Sequence, residues 1–222
     1  MPPTTRQLPV AAAPRPRLRG RLHLLAAIAS VLALPWLVRS GTTGLAKVAA
    51  WVYGVSCLLL YAASSTYHVF TRSVRARRIM QSVDHSMIYV LIAGTFTPAC
   101  LLALRSPWRW LLLAVVWLAA GVGVVMSLTA LDRFRRFGFV LYLVLGWAGL
   151  VVIPALLDQP VRLVMMILAG VLYTLGAVLF GLRRPTLSPR WFGYHELWHV
   201  FGVTAGALLF VVNFGFIATP VH

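Results

Sequence analysis

Residues 161–181 read VRLVMMILAGVLYTLGAVLFG, and Arg162 carries the only charge in this stretch. A helix needs about 20 mostly apolar residues to cross the roughly 30 Å hydrocarbon core of a membrane. The stretch has that length, and helices satisfy their own backbone hydrogen bonds in lipid. Six further stretches share this composition and predict six more membrane helices. They lie near residues 22–38, 48–69, 80–103, 108–130, 137–157 and 196–217.

The composition of the whole chain agrees with this interpretation. Of its 222 residues, 60% are hydrophobic and 11% are charged, whereas a soluble domain carries about 25% charged residues. The short loops favour antiparallel neighbours in one bundle. We therefore predict an all-α, seven-transmembrane helix bundle over residues 21–222, in a multi-pass protein of the cell membrane. Residues 1–20 are rich in proline, alanine and arginine, and they predict a disordered basic tail.

The basic residues predict the orientation of the bundle. Of the 20 Lys and Arg, fifteen fall in the N-terminal tail and in the loops that follow the second, fourth and sixth segments. Because cytoplasmic loops carry an excess of Lys and Arg, the N-terminus is expected in the cytoplasm and the C-terminus outside. We interpret the net charge of +16 as the result of basic loops that orient the bundle in the membrane and attract anionic lipid headgroups. Nucleic-acid binding is not expected.

One aspartate and three histidines at the ends of the apolar segments gather at the cytoplasmic end of this topology. His68 ends the second segment, Asp84 begins the third, and His195 and His199 begin the seventh. Ionisable groups are costly in membrane segments, so their presence indicates function. The charge count did not use these residues, and their convergence at one end independently supports a site.

The spacing of these residues favours a metal. His195 and His199 are four residues apart, so on a helix they share one face about 6 Å apart. With His68 they provide three imidazoles, which together with a water make an open, catalytic-type zinc site. Asp84 is expected to hold that water or to orient a ligand. Ser64 lies four residues before His68 and faces the same way, although a hydrogen bond to its own helix is an alternative.

Residues 195–199 read HELWH, which matches the H-E-x-x-H pattern of zinc proteases, with Glu196 as their general base. Such an enzyme embedded in a membrane needs a further carboxylate ligand, and Asp158 falls on the opposite side of the membrane. The alternative is that Glu196 stabilises the start of its helix through the helix dipole. His85 points about 100° away from Asp84 around its helix and is interpreted as a structural or headgroup-facing residue.

Gly202 and Gly206 form a G-x-x-x-G pair in the seventh segment, which indicates close helix packing. The sequence leaves open whether this packing lies within the bundle or between the chains of a homo-oligomer. Cys57 and Cys100 both fall in apolar segments and are expected to be small core residues.

Three motifs together carry a family resemblance. They read SSTYH at residues 64–68, DHSMIY at 84–89 followed by AGTFTP at 93–98, and HELWH at 195–199. The chain after its tail resembles the bacterial hemolysin III family, which is related to the progestin and adipoQ receptors and more distantly to the alkaline ceramidases. The resemblance implies zinc on His68, His195 and His199, a water between the metal and Asp84, and Ser64 in support.

Two functions follow as hypotheses. The first is a zinc-dependent hydrolase of a lipid amide or ester, in which Asp84 is the general base and Ser64 helps to stabilise the oxyanion. A membrane lipid is then the substrate. The alternative is a non-enzymatic protein, either receptor-like or pore-forming and haemolytic, in which structural zinc joins the second and seventh helices.

Overall fold

The computed structural model describes the backbone of residues 16–219 and the side chains of all of these except residues 130–136. Seven apolar helices in this range are long enough to span a membrane, so the predicted all-α, seven-helix fold is confirmed. They are α1 (Arg21–Ser40), α2 (Gly44–Phe70), α3 (Val74–Ala103), α4 (Trp108–Thr129), α5 (Phe137–Leu156), α6 (Pro160–Leu182) and α7 (Tyr194–Ala218). Most of the predicted disordered tail, residues 1–15, lies outside the described residues. Residues 17–20 form a turn that leads into α1.

The outer surface of the bundle is apolar. Leu32 and Leu118, for example, expose 73% and 72% of their surface. Water would penalise so many exposed large side chains, whereas hydrocarbon does not. The surface and the seven spans together define a multi-pass membrane protein.

Helix α3 begins earlier than the sequence pattern predicts. The expected start was residue 80, but the helix starts at Val74, where the Ser73 hydroxyl accepts a hydrogen bond from the amide of Ala76 at 3.2 Å. Serine is a favoured residue at this position because it satisfies an otherwise free helical N–H. Asp84 consequently lies ten residues into α3, about 15 Å along its axis.

The loop predicted between α4 and α5 is helical. Helical hydrogen bonding continues from Trp108 to Trp147, followed by a 3₁₀ helix over Ala148–Leu156. Residues 131–137 contain neither glycine nor proline, so no strong helix breaker marks a loop. The chain nevertheless reverses direction between Gly123 and Gly138. The evidence is that the single Tyr89 side chain packs against both glycines. On a straight helix these glycines would be about 22 Å apart.

Helix α7 organises the centre of the bundle. It contacts α1, α2, α3 and α6, so the helices that carry the predicted site residues meet one another. We call the end at which α2 finishes and α3 and α7 begin the basic end, since the arginine-rich loops lie there. The G-x-x-x-G pair packs inside the bundle, where a Cβ at Gly206 would overlap the Tyr61 hydroxyl.

Candidate metal centre

His68 lies on an irregular turn at the end of α2. The last five residues, Thr66–Phe70, form a π-helical turn in which the amide of Thr71 donates to the carbonyl of Thr66 at 3.0 Å. Turns of this kind are rare and occur frequently at functional sites. The wider turn still leaves Ser64 and His68 directed toward the same carboxylate, that of Asp84.

The three predicted histidines meet at the basic end. One nitrogen from each of His68, His195 and His199 lies within 4.8 Å of the other two. The Nε2 atoms of His68 and His195 are 3.1 Å apart. Two ligands of a tetrahedral zinc ion, each about 2.0–2.1 Å from the metal, are separated by about 3.3 Å. This pair is therefore spaced for a shared ion.

The orientation of the rings agrees with the same geometry. Ring centroids of the three histidines are 4.6, 4.8 and 5.1 Å apart, and the ring planes are inclined at 60–78°. Imidazoles that point radially at one tetrahedral ion have centroids about 5 Å apart and cannot stack face to face. The three imidazoles are therefore arranged so that they could hold a metal ion.

Asp84 and Ser64 complete the cluster. An Asp84 carboxylate oxygen lies 3.6 Å from the His68 Nε2 atom, and the Ser64 hydroxyl is a hydrogen-bond partner of the same carboxylate. Ser64 is fully buried, at 1% exposure. The structure therefore places a carboxylate and a hydroxyl beside the point where the imidazoles converge.

Glu196 is engaged in structural contacts. Its Oε1 atom accepts a hydrogen bond from Arg19 Nε at 2.6 Å, and its Oε2 atom accepts one from the Gly193 amide at 2.8 Å. Glu196 is 1% exposed and belongs to the first turn of α7. These contacts agree with the alternative interpretation, in which Glu196 stabilises the start of its helix.

The other candidates lie outside the cluster. Asp158 is exposed just before α6, whereas His195 follows this 23-residue helix, which is about 35 Å long. His85 Nδ1 contacts the Gln81 carbonyl of its own helix at 2.8 Å. Cys57 and Cys100 are both free and pack in the core regions.

His23 is a site residue that the sequence interpretation did not single out. Its ring stacks on that of His199, with centroids 3.8 Å apart and planes inclined at 7°. It is 6% exposed and contacts the Tyr61 ring edge to face. The sequence could have indicated this residue, because α1 starts at the basic end and His23 lies in its first turn, at the same end as the three clustered histidines.

A cavity of about 230 Å³ extends from the cluster into the bundle. Along α7 its lining runs from His195 to Phe216, about 30 Å at 1.5 Å per residue. Most of the lining is apolar, with polar groups concentrated at the histidine end and with Tyr61, Tyr173 and Asn213 further along. The cavity is therefore long and mostly apolar, with its polar groups concentrated at one end.

Comparison with known proteins agrees with the motifs. The family model described as Haemolysin-III related matches residues 11–211. The chain belongs to this family. The "Hemolysin-3" of Bacillus cereus is 34% identical over 194 residues, covering 85% of each chain. The "Hemolysin-3 homolog" of Bacillus subtilis (strain 168) is 32% identical over 161 residues, covering 72% of each chain.

More distant relatives extend the family beyond bacteria. The human "Monocyte to macrophage differentiation factor" is 25% identical over 170 residues, which cover 73% of this chain and 67% of the relative. Each of these three matches covers at least 72% of this chain. The family membership predicted from the three motifs is confirmed.

Proposed function

We propose that this haemolysin-III-related protein is a zinc-dependent hydrolase of a lipid amide or ester. The observation that carries the proposal is the position of the histidine cluster, with Asp84 beside it, at the polar end of a long apolar cavity. A purely structural metal would not need an apolar cavity beside its ligands.

The metal in this proposal is zinc held by His68, His195 and His199. Zinc with three imidazole ligands acts as a Lewis acid and activates water at its open position. His199 is 3% exposed, and His68 and His195 are partly buried. Burial shields the site from competing solvent and strengthens the electrostatic interactions within it.

Asp84 serves as the general base. Its Oδ2 atom lies next to His68, so it can accept a proton from a water that attacks the carbonyl carbon of the substrate. The same proton passes to the leaving nitrogen or oxygen when the amide or ester bond breaks. Ser64 donates its hydroxyl hydrogen to the Asp84 carboxylate in the resting site. Once Asp84 has taken the proton from water, the same hydroxyl can turn and donate to the oxygen on which negative charge develops.

In this proposal a lipid enters the cavity from the side, between α5 and α6. There the Trp147 indole donates a hydrogen bond to the Thr174 hydroxyl at 3.0 Å, and its ring packs over Gly170. Both Trp147 and Thr174 line the cavity, and Trp147 is 37% exposed. One indole thus forms part of the wall between the cavity and the surrounding lipid.

The first test measures metal content of the detergent-purified protein beside a His195→Ala/His199→Ala variant. The expected result is about one zinc per wild-type chain and none in the variant. The absence of zinc in the wild type, with no uptake on addition, would refute the proposal.

The second test concerns turnover. The zinc-loaded protein is screened against long-chain N-acyl amides and esters, with free fatty acid as the measured product. Asp84→Asn should retain zinc and lose turnover, because an amide cannot accept the proton. Full activity in this variant would remove Asp84 from the mechanism.

The names of the bacterial relatives favour a second candidate, a haemolytic pore-forming protein. In that case zinc joins α2 and α7 without catalysis. Reconstitution into vesicles that contain a trapped dye separates the two. A hydrolase releases fatty acid and retains the dye, whereas a pore releases the dye without any product.

A further inference from the structure

The start of α1 packs directly on a predicted metal ligand. Gly20, which precedes the helix, has a φ of 77°, a left-handed conformation that favours glycine. A Cβ at this position would lie 2.5 Å from the His68 Cβ and 3.0 Å from the Val69 Cγ2. No side chain fits there, so the Gly20 backbone forms one wall of the His68 position.

His23 provides a second wall, against His199. The two rings are parallel at 3.8 Å, which differs from the inclined rings of the three clustered histidines. Within residues 16–219 the buried Nδ1 atom of His23 has no hydrogen-bond partner. The His23 ring instead contacts the rings of His199 and Tyr61.

Arg19 provides a third contact, through Glu196. The 2.6 Å bond joins the segment before α1 to the residue that follows His195. Because Glu196 also accepts the Gly193 amide, this network fixes the first turn of α7. The position of His195 depends on that turn.

We infer that Arg19, Gly20 and His23 form a clamp that positions the metal ligands without binding the metal. The inference rests on the proposed metal site and deepens it. Three imidazoles from two helices bind an ion tightly only if their rings are held in place beforehand. Contacts that orient metal ligands typically contribute about 10- to 100-fold to metal affinity. The clamp contacts His68 and His199 directly and reaches His195 through Glu196, from an element outside the three motifs.

The experiment measures zinc affinity by competition with a chromogenic chelator, using the full-length protein in detergent. Three variants are compared with the wild type: His23→Ala, His23→Phe and Arg21→Ala. Phenylalanine retains a flat ring against His199 but has no nitrogen. Arg21 is exposed in the same turn, so its variant is the matched control. Thermal unfolding of the metal-free proteins tests whether each variant is folded.

The clamp predicts that His23→Ala weakens zinc binding by about 10- to 100-fold, while His23→Phe and Arg21→Ala remain close to the wild type. Cobalt absorption spectra should show altered ligand geometry in the alanine variant alone. Equal zinc affinity in His23→Ala and the wild type would overturn the clamp while leaving the metal site intact. Equal losses in the alanine and phenylalanine variants would make His23 a ligand and would also overturn it. A wild type that binds no zinc would instead refute the proposed function.

Discussion

Replacement of Arg19 by glutamine should destabilise the protein, because it removes the positive partner of a fully buried carboxylate. Glu196 is 1% exposed and would retain only the Gly193 amide. Loss of one partner of a buried ion pair costs about 3–5 kcal/mol. The Arg19 side chain is 19% exposed, so water can partly replace it, and the lower value of about 3 kcal/mol is expected. For a domain of this size that corresponds to a melting temperature lower by about 6–12 °C.

The assay is thermal unfolding in detergent of the wild type, Arg19→Gln, Glu196→Gln and the double variant. The double variant should recover most of the lost stability, because no uncompensated charge stays buried and the two amides can still form a hydrogen bond. Arg21→Gln is the matched control and should melt near the wild type. A double variant as unstable as Arg19→Gln, or a stable single variant, would refute the argument that Glu196 is a buried charge that depends on Arg19.

Three further predictions concern the site, the packing and the orientation. Ser64→Ala should retain zinc and lower turnover by about 100-fold, measured as fatty-acid release, since one donor to the developing oxyanion is lost. Gly206→Ala should lower stability by about 1–3 kcal/mol in the same melting assay, because its Cβ displaces Tyr61. The loop that contains Arg72 is predicted to be cytoplasmic. A cysteine introduced by Arg72→Cys should therefore resist a membrane-impermeant thiol reagent in intact cells and react after permeabilisation. Labelling in intact cells would contradict the predicted orientation.

The sequence was sufficient to predict the helices and the convergence of the three histidines. Apolar length alone defines a membrane helix, and consecutive helices cross in alternating directions. His68 at the end of the second segment and His195 at the start of the seventh must therefore share one end of the bundle. The four-residue spacing to His199 then places both α7 imidazoles on one face.

Other features of the site depend on information that apolar patterns do not contain. Residues 66–70 have no composition that distinguishes a π turn from an α turn, so the exact direction of His68 was not predictable. The α3 start was missed because residues 74–79 are too polar to count as membrane helix, although Ser73 was a recognisable cap. The contact of His23 with His199 requires that α1 and α7 be neighbours, which follows from packing of the closed bundle.

Asp84 and Glu196 both lie at the basic end but have different partners, and those partners indicate different roles. Glu196 has both oxygens occupied, by Arg19 and by the Gly193 amide, so a proton transfer there would break the contacts that hold the start of α7. Asp84 instead faces His68 and Ser64, next to the converging nitrogens. If Asp84 is the base, Glu196→Gln should keep measurable turnover in its folded fraction, normalised to bound zinc, while Asp84→Asn loses it. The reverse pattern, in fatty-acid release per bound zinc, would make Glu196 the base and would restore the protease-like interpretation of the HELWH motif.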